Sequence, residues 1–338
     1  MAEELKNRIL NATSQQKNIL RSKSLTIKQS IGSGSFSFVF LATNQQKKSV
    51  AIKIMDILKV KREIIKNEIS AMKTLKHANI VAFYDTFEDD SFCYIVMEHC
   101  PNGDVFDYIS NHRALPEQHA WSWFTQLIFG LAFIHKQGFV HRDIKLENML
   151  LDSNFKVKIT DFGFSFRFSA SGQKEPISRD SCGSVLYACP EKLQNIEHYS
   201  TKADVWSCGV VLFVMLFGIY PLDEDRIKEA RDETGDFRIS IPEDTTTTEE
   251  CKELVKLMLV ADESRISTGD ILKHKWFTKK WQNPLKMDVE YFKNVNINRQ
   301  GTGKMSFERI KLKRSESVMK VTKSKKSEKK DSKQNKEK

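Results

Sequence analysis

Paired cysteines are missing from this 338-residue chain. Cys93, Cys100, Cys182, Cys189, Cys208 and Cys251 form no CxxC and no metal-ligand spacing. In a chain this long they read as scattered thiols of a reducing compartment rather than a disulfide framework or a zinc site. No apolar run reaches the roughly 20 residues that cross a bilayer. The longest, Cys208 to Pro221, is expected to be a buried core helix. The opening MAEELKNRIL lacks the apolar centre of a secretory signal. The formal net charge of +10 is also not spread over the chain. Residues 311–338 hold twelve Lys/Arg against four Asp/Glu, and residues 1–310 hold 42 against 40. A nearly neutral body gives no argument for nucleic-acid binding. These absences predict a soluble, cytoplasmic protein with no membrane span. The basic tail alone offers a route to the nucleus. No internal repeat is evident.

What is present begins as strands. LTIKQSI, SFVFLAT and SVAIKIMD are strand-like, and a charged helical stretch follows from about Lys61 to Lys76. NIVAFYDTF and FCYIVME then predict two more strands, making a small five-stranded β lobe with one helix. From Val105 the periodicity becomes helical. FDYISNH and EQHAWSWFTQLIFGLAFIHKQG are amphipathic, the second stopping at Gly138. The expected fold class is therefore α+β and bilobal, with a large, mainly α-helical second lobe. The divisions expected are an extension over 1–23 forming a short, loosely attached helix, a domain over 24–277 split at 97/98, an extension over 278–310, and a tail over 311–338. The tail is Lys/Ser/Glu-rich and buries too little apolar surface to stay ordered.

The chemistry is concentrated in His141-Arg142-Asp143-Ile144-Lys145-Leu146-Glu147-Asn148, with Asp161-Phe162-Gly163 thirteen residues after Asn148. This places a carboxylate base (Asp143), a lysine (Lys145), an amide oxygen (Asn148) and a second carboxylate (Asp161) on two nearby loops. The set suits moving a phosphoryl group from Mg²⁺-bound ATP to a hydroxyl, with Asn148 and Asp161 as hard oxygen ligands for the metal. HRDxKxxxN followed by DFG resembles the eukaryotic protein kinases, and the resemblance covers about residues 25–277. It implies the bilobal kinase fold, ATP and Mg²⁺ as cofactors, and protein substrates bearing Ser/Thr hydroxyls. Lysine at position 145 is similar to the serine/threonine kinases. Phe162 to Arg167, the segment to Ser184, and Tyr187-Ala188-Cys189-Pro190-Glu191 resemble the calcium/calmodulin-dependent-kinase-like group, most of all its testis-specific branch.

Upstream, Ile31-Gly32-Ser33-Gly34-Ser35-Phe36-Ser37-Phe38-Val39 resembles the kinase glycine-rich loop, whose glycines let backbone N–H groups approach phosphates. Its third glycine is Ser37 here. Val-Ala-Ile-Lys then offers Lys53 for the α/β-phosphates. Glu63 and Glu68 both qualify as its carboxylate partner. By analogy with kinases, the spacing to His77-Ala78-Asn79 selects Glu68. The resemblance also assigns Ala51, Met97 (as gatekeeper), Glu98, Cys100 and Leu150 to the nucleotide site. His141, Phe162, Met72 and Phe83 are expected to form an apolar column. Asp204 is expected to anchor the catalytic loop, and Glu191 to pair with Arg265.

For regulation, the kinase alignment places Asp180 where a phosphorylatable threonine often stands, opposite Arg142. An aspartate carries −1 against about −1.5 to −2 for a phosphate, so it is expected to hold Arg142 in part. Ser178 or Ser181 phosphorylation is the alternative. Asp104 and Glu147 fall where basophilic kinases hold a substrate arginine, and Ser184 is expected near Asp143 and Lys145. Arg314-Ser315-Glu316-Ser317 puts Arg three before Ser317, a weak autophosphorylation signal. The tail lysines most often read as merely solvated; contact with nucleic acid or an anionic surface is the minority reading. A monomer is expected. Two rival classes are a nucleotide-binding pseudokinase scaffold and a small-molecule phosphotransferase. Intact Lys53, Asp143, Asn148 and Asp161 weigh against the first, and Pro190-Glu191 with its long docking segment against the second.

Overall fold

In SFVFLAT, every second residue (Phe38, Phe40 and Ala42) is buried while its neighbours are partly exposed, the period expected of a strand with one inward face. That strand is β2 (Ser37–Thr43). Its neighbours are β1 (Thr26–Ser33), β3 (Ser49–Asp56), β4 (Phe83–Glu88) and β5 (Phe92–Glu98), in the order β1-β2-β3-β5-β4. All pairs are antiparallel. The computed structural model describes residues 19–34, 37–112, 114–168, 177–179, 182–229, 237, 239–243, 246–279, 281 and 317–318.

The expected strand over NIVAFYDTF begins four residues late. Asn79 donates its backbone N–H to His77 Nδ1 at 3.1 Å, Ile80 bridges Ile159, and Val81 N–H donates to the Ile159 carbonyl at 3.0 Å. The first half of that run thus pairs with the second lobe, and only Phe83–Glu88 joins the sheet. Helix α1 (Arg62–Thr74) packs Ile65, Glu68, Ala71 and Met72 inward.

The large lobe is built on α2 (Val105–His112), α3 (Glu117–Lys136) and the buried α5 (Ser200–Phe217), with α4 (Pro190–Leu193) and α6 (Glu224–Glu229) on either side of α5 in sequence. Helices α7 (Glu249–Met258), α8 (Thr268–Ile271) and α9 (Lys275–Thr278) complete it. Helix α5 is long and apolar enough to cross a membrane by composition, but its residues form the lobe's core, as read from Cys208 to Pro221. Past α3 the chain turns at Gly138, whose φ of +75° is open to glycine without strain. The short strands β6 (Phe139–Val140), β7 (Met149–Leu151), β8 (Val157–Ile159) and β9 (Phe166–Arg167) carry the two loops of interest: β6 pairs with β9, and β7 with β8.

Residues 19–22 are helical, as expected, but two other expectations are corrected. Ile19 and Leu20 pack on the outer β-lobe cluster of Leu25, Phe38, Phe40 and Tyr94, while Lys23 pairs with Asp85 at 3.0 Å. The described end of the N-terminal extension is therefore docked, because apolar residues there extend the sheet's core. The tail also contributes structure. Strand β11 (Gly183–Ser184) pairs antiparallel with β13 (Ser317–Val318). Main-chain pairing needs no apolar side chains, so composition alone gives no sign of it. Strands β10 (Ile177–Ser178) and β12 (His198–Tyr199) form the remaining pair.

Candidate active site

Three elements converge on Lys53. Strand β3 sets it opposite Val39 on one side and Ile95 on the other. From α1, Glu68 reaches its ammonium at 2.5 Å, and from the loop after β8, Asp161 reaches it at 2.9 Å. Of the two glutamates open from sequence, the structure brings Glu68 to Lys53. Burial alone would lower the Lys53 pKa, but the two carboxylates more than offset it and hold the ammonium charged. Burial likewise pushes Asp161 up, and Lys53 overcomes this, leaving Asp161 at about 2. Glu68 is shifted upward, burial outweighing its lysine. The Asp161 side chain is 39% exposed, so its ionised carboxylate opens onto the cleft.

The loop between β6 and β7 is held from beneath by α5. Asp204, buried in that helix, accepts backbone N–H bonds from His141 at 2.9 Å and Arg142 at 2.8 Å. It also meets His135 Nε2 at 2.9 Å. Burial would raise the Asp204 pKa, but the His135 contact and its other partners bring it below the usual range. Arg142 and Asp161 both have left-handed backbone, with φ of 69° and 64°. Such conformations are costly for residues with a Cβ and persist where surrounding bonds over-determine them. His141 Nδ1 accepts the Asp143 N–H at 3.3 Å, so its Nε2–H faces the Thr160 carbonyl at 3.0 Å. Its ring lies 5.1 Å from that of Phe162. Met72 and Phe162 are buried in one core, and Phe83 packs against it.

Asp143 is buried with both oxygens engaged. Ser184 donates its hydroxyl to Oδ1 at 2.9 Å, and Asn148 Nδ2 donates to Oδ2 at 3.1 Å. The Lys145 ammonium lies 3.4 Å from Oδ2 and donates to the Ser184 hydroxyl at 2.9 Å. The Asn148 amide nitrogen also donates to the Asp143 carbonyl at 2.8 Å, which leaves its oxygen as the atom available to a cation. That oxygen and the ionised Asp161 are a hard donor pair. Among the described residues no group of three or more His, Cys, Asp or Glu gathers at metal-binding distance. A site of this kind suits Mg²⁺, which takes one or two protein oxygens and completes its shell with phosphates and water.

Of the residues expected at the nucleotide site, Ala51 pairs with Met97 and Gly32 with Val39. The Gly34 N–H donates to the Ser37 carbonyl at 2.8 Å, closing the glycine-rich turn. Ser35 and Phe36 lie outside the described residues. Ile31 is exposed, Phe38 is buried, and Leu150 is half-buried against the core. The Glu98 carboxylate pairs with Lys158 at 2.9 Å and accepts the Ala82 N–H at 3.1 Å, which fixes the segment joining the lobes. Burial pushes the Cys100 thiol up to about 12.

Asp104 spends one oxygen on the Asp107 N–H at 2.7 Å at the start of α2, and Glu147 accepts from the Tyr187 hydroxyl at 3.3 Å. Glu191 grips Arg265 through both oxygens at 2.9 and 3.0 Å, and the guanidinium lies 5.1 Å over Trp206. Arg142 lies 4.8 Å over Phe166. Ser178 sits in β10, opposite His198. Asp180 and Ser181 lie outside the described residues. His135 and Lys158 carry no sequence signal, and Tyr187 is marked there only as part of the run to Glu191. His135 falls six residues before His141 at the end of an amphipathic helix, where it looks like any helix-terminal cation.

Comparison with known proteins agrees with this geometry. The family described as the protein kinase domain matches residues 25–277. Testis-specific serine/threonine-protein kinase 4 of Homo sapiens is 35% identical over 269 residues, covering 74% of this chain and 81% of that protein. Testis-specific serine/threonine-protein kinase 2 of Mus musculus is 35% identical over 294 residues, 85% of this chain and 80% of that protein. Serine/threonine-protein kinase SIK3 homolog of Danio rerio is 38% identical over 257 residues, 74% of this chain. The alignment spans only 21% of that last protein's length. With the protein kinase domain matched over residues 25–277 and two testis-specific kinases covered over about four-fifths of their length, this chain belongs to the protein kinase family and is a protein serine/threonine kinase.

Proposed function

We propose that the chain transfers the γ-phosphoryl group of Mg-ATP to Ser/Thr hydroxyls that follow an arginine at the third residue upstream. The observation that carries the transfer is the convergence of Ser184, Asn148 and Lys145 on the buried Asp143 carboxylate. Asp143 orients the incoming hydroxyl and accepts its proton. Lys145, 3.4 Å away, neutralises negative charge shifting onto the transferred group, an effect strongest in a site shielded from water. Lys53, held by Glu68, clamps the α- and β-phosphates, and the Gly32–Gly34 turn presents backbone N–H groups to them. Asn148 and Asp161 would hold magnesium, which would supply charge neutralisation for the transferred phosphoryl group.

The arginine preference rests on Asp104 and Glu147, whose carboxylates suit a guanidinium fork better than an ammonium. Basal activity without an upstream kinase rests on Asp180 as a built-in anion for Arg142. A peptide-library assay with phosphatase-treated protein made in bacteria tests all three readings. The expected result is Ser/Thr phosphorylation with Arg selected at the third residue upstream, abolished in Lys53→Met. Selection of proline or acidic residues would refute the specificity. Activity appearing only after incubation with an upstream kinase would refute the role of Asp180. No transfer under either condition would refute the enzyme.

A further inference from the structure

We propose that the chain carries its own substrate: Ser317, in the C-terminal segment, is phosphorylated within the same molecule. This rests on the kinase reading above. Strand β13 lies antiparallel on β11, with Ser317 opposite Ser184 and Val318 opposite Gly183. Residues opposed in this way have Cα atoms roughly 4.5–5.5 Å apart. Ser184 in turn donates its hydroxyl to Asp143 at 2.9 Å. The backbone of Ser317 therefore lies about one strand spacing from Ser184, whose hydroxyl is bonded to the Asp143 carboxylate.

Strand β11 can serve as this platform because of Gly183. Its φ is +103°, and a Cβ there would fall 2.6 Å from the Arg142 carbonyl oxygen. Any other residue would lift the strand off the catalytic loop. Among the described residues β11 forms a two-stranded sheet with β13. Adding a strand to an exposed edge is a general mode of peptide recognition, in which main-chain hydrogen bonds supply affinity whatever the side chains.

Reach and local sequence both permit the contact. The 35 residues 282–316 separate Ser317 from the end of the large lobe and can span at most roughly 3.3–3.6 Å each. A tether of this kind makes the encounter intramolecular, with an effective concentration set by its length and stiffness. Arg314 stands three residues before Ser317, the spacing proposed for external substrates. In the transfer, the Ser317 hydroxyl oxygen bonds to the γ-phosphorus of ATP. The bond from that phosphorus to the bridging oxygen breaks, its electron pair leaves with ADP, and the hydroxyl proton passes to Asp143. Until then the segment occupies the strand that an external peptide would use.

The full chain is incubated with Mg-ATP and an external serine peptide carrying arginine three residues upstream, and modified sites are mapped by mass spectrometry. Phosphate should appear on Ser317 with a rate constant unchanged on dilution, and a tagged Asp143→Asn copy mixed with wild type should stay unmodified there. Ser317→Pro with Val318→Pro removes the inward-facing N–H whichever residue carries it. It should lower KM for the external peptide about fivefold, the worth of one hydrogen bond, with kcat unchanged. Phosphorylation of the peptide with Ser317 unmodified would overturn the proposal, as would phosphate on Ser315 instead. A rate that scales with concentration and marks the Asp143→Asn copy would overturn it, and so would an unchanged KM in the double variant. If neither peptide nor tail is modified, the kinase reading itself fails, and this inference with it.

Discussion

Asp204 Oδ1 accepts the backbone N–H of Arg142 at 2.8 Å, while Asp204 Oδ2 accepts that of His141 at 2.9 Å. One buried carboxylate on α5 thus sets the backbone immediately before Asp143, including the left-handed turn at Arg142. Asp204→Asn keeps one acceptor oxygen and turns an NH₂ group toward an N–H donor. Hydrogen bonds to charged groups contribute about 1.5–3 kcal/mol each. A loss of that size is expected in the unfolding free energy, together with a larger fall in kcat than in peptide KM. Denaturant unfolding and steady-state kinetics on the same preparation check both.

The pair Glu191–Arg265 should matter to the fold alone. Arg265 is fully buried, bonded to both oxygens of Glu191 and stacked over Trp206. Removing one partner of a buried pair costs about 3–5 kcal/mol because the other charge is stranded. Arg265→Leu is expected to lose that much stability, and Arg265→Lys most of it, since an ammonium cannot reproduce the two-pronged contact. Thermal unfolding measures it. A lysine variant as stable as wild type would contradict the assignment.

Acid should unfold the protein through identifiable carboxylates. Asp161, Glu191 and Asp204 are held below their ordinary values of 3.8, 4.5 and 3.8. As pH falls the unfolded chain takes protons at these groups first. The stability they contribute is full above about pH 5 and is lost as pH drops toward the folded values, about 2 for Asp161. Glu68, shifted upward, works in the opposite direction. Glu191→Gln should be less stable than wild type at pH 7 yet lose less between pH 5 and pH 3. Parallel stability curves for the two proteins would contradict this.

The parts of the site readable from sequence are those whose residues lie close together in the chain. Asp143, Lys145 and Asn148 share one eight-residue run, and the strand-like runs SFVFLAT and SVAIKIMD place Lys53 on its sheet. The geometry around Asp161 supplies what spacing cannot: a lysine 108 positions upstream that keeps it ionised. The start of β4 was illegible because NIVAF is apolar enough for either lobe, and the local bond from Asn79 to His77 decides between them. His135 was missed because its partner Asp204 lies 69 positions away, and no local pattern links the two. The docking of Ser317–Val318 is not legible in sequence because main-chain pairing leaves no mark in composition.

The central claim is that Asp143 handles the proton of the acceptor hydroxyl while the rest of the site binds nucleotide without it. Single-turnover transfer from radiolabelled Mg-ATP to a serine peptide, compared between wild type and Asp143→Asn, tests it most directly. The expected result is unchanged nucleotide affinity with the chemical step slowed by about 10²–10⁴, the range for losing a general base. Transfer at the wild-type rate by Asp143→Asn, with nucleotide still bound, would contradict the account.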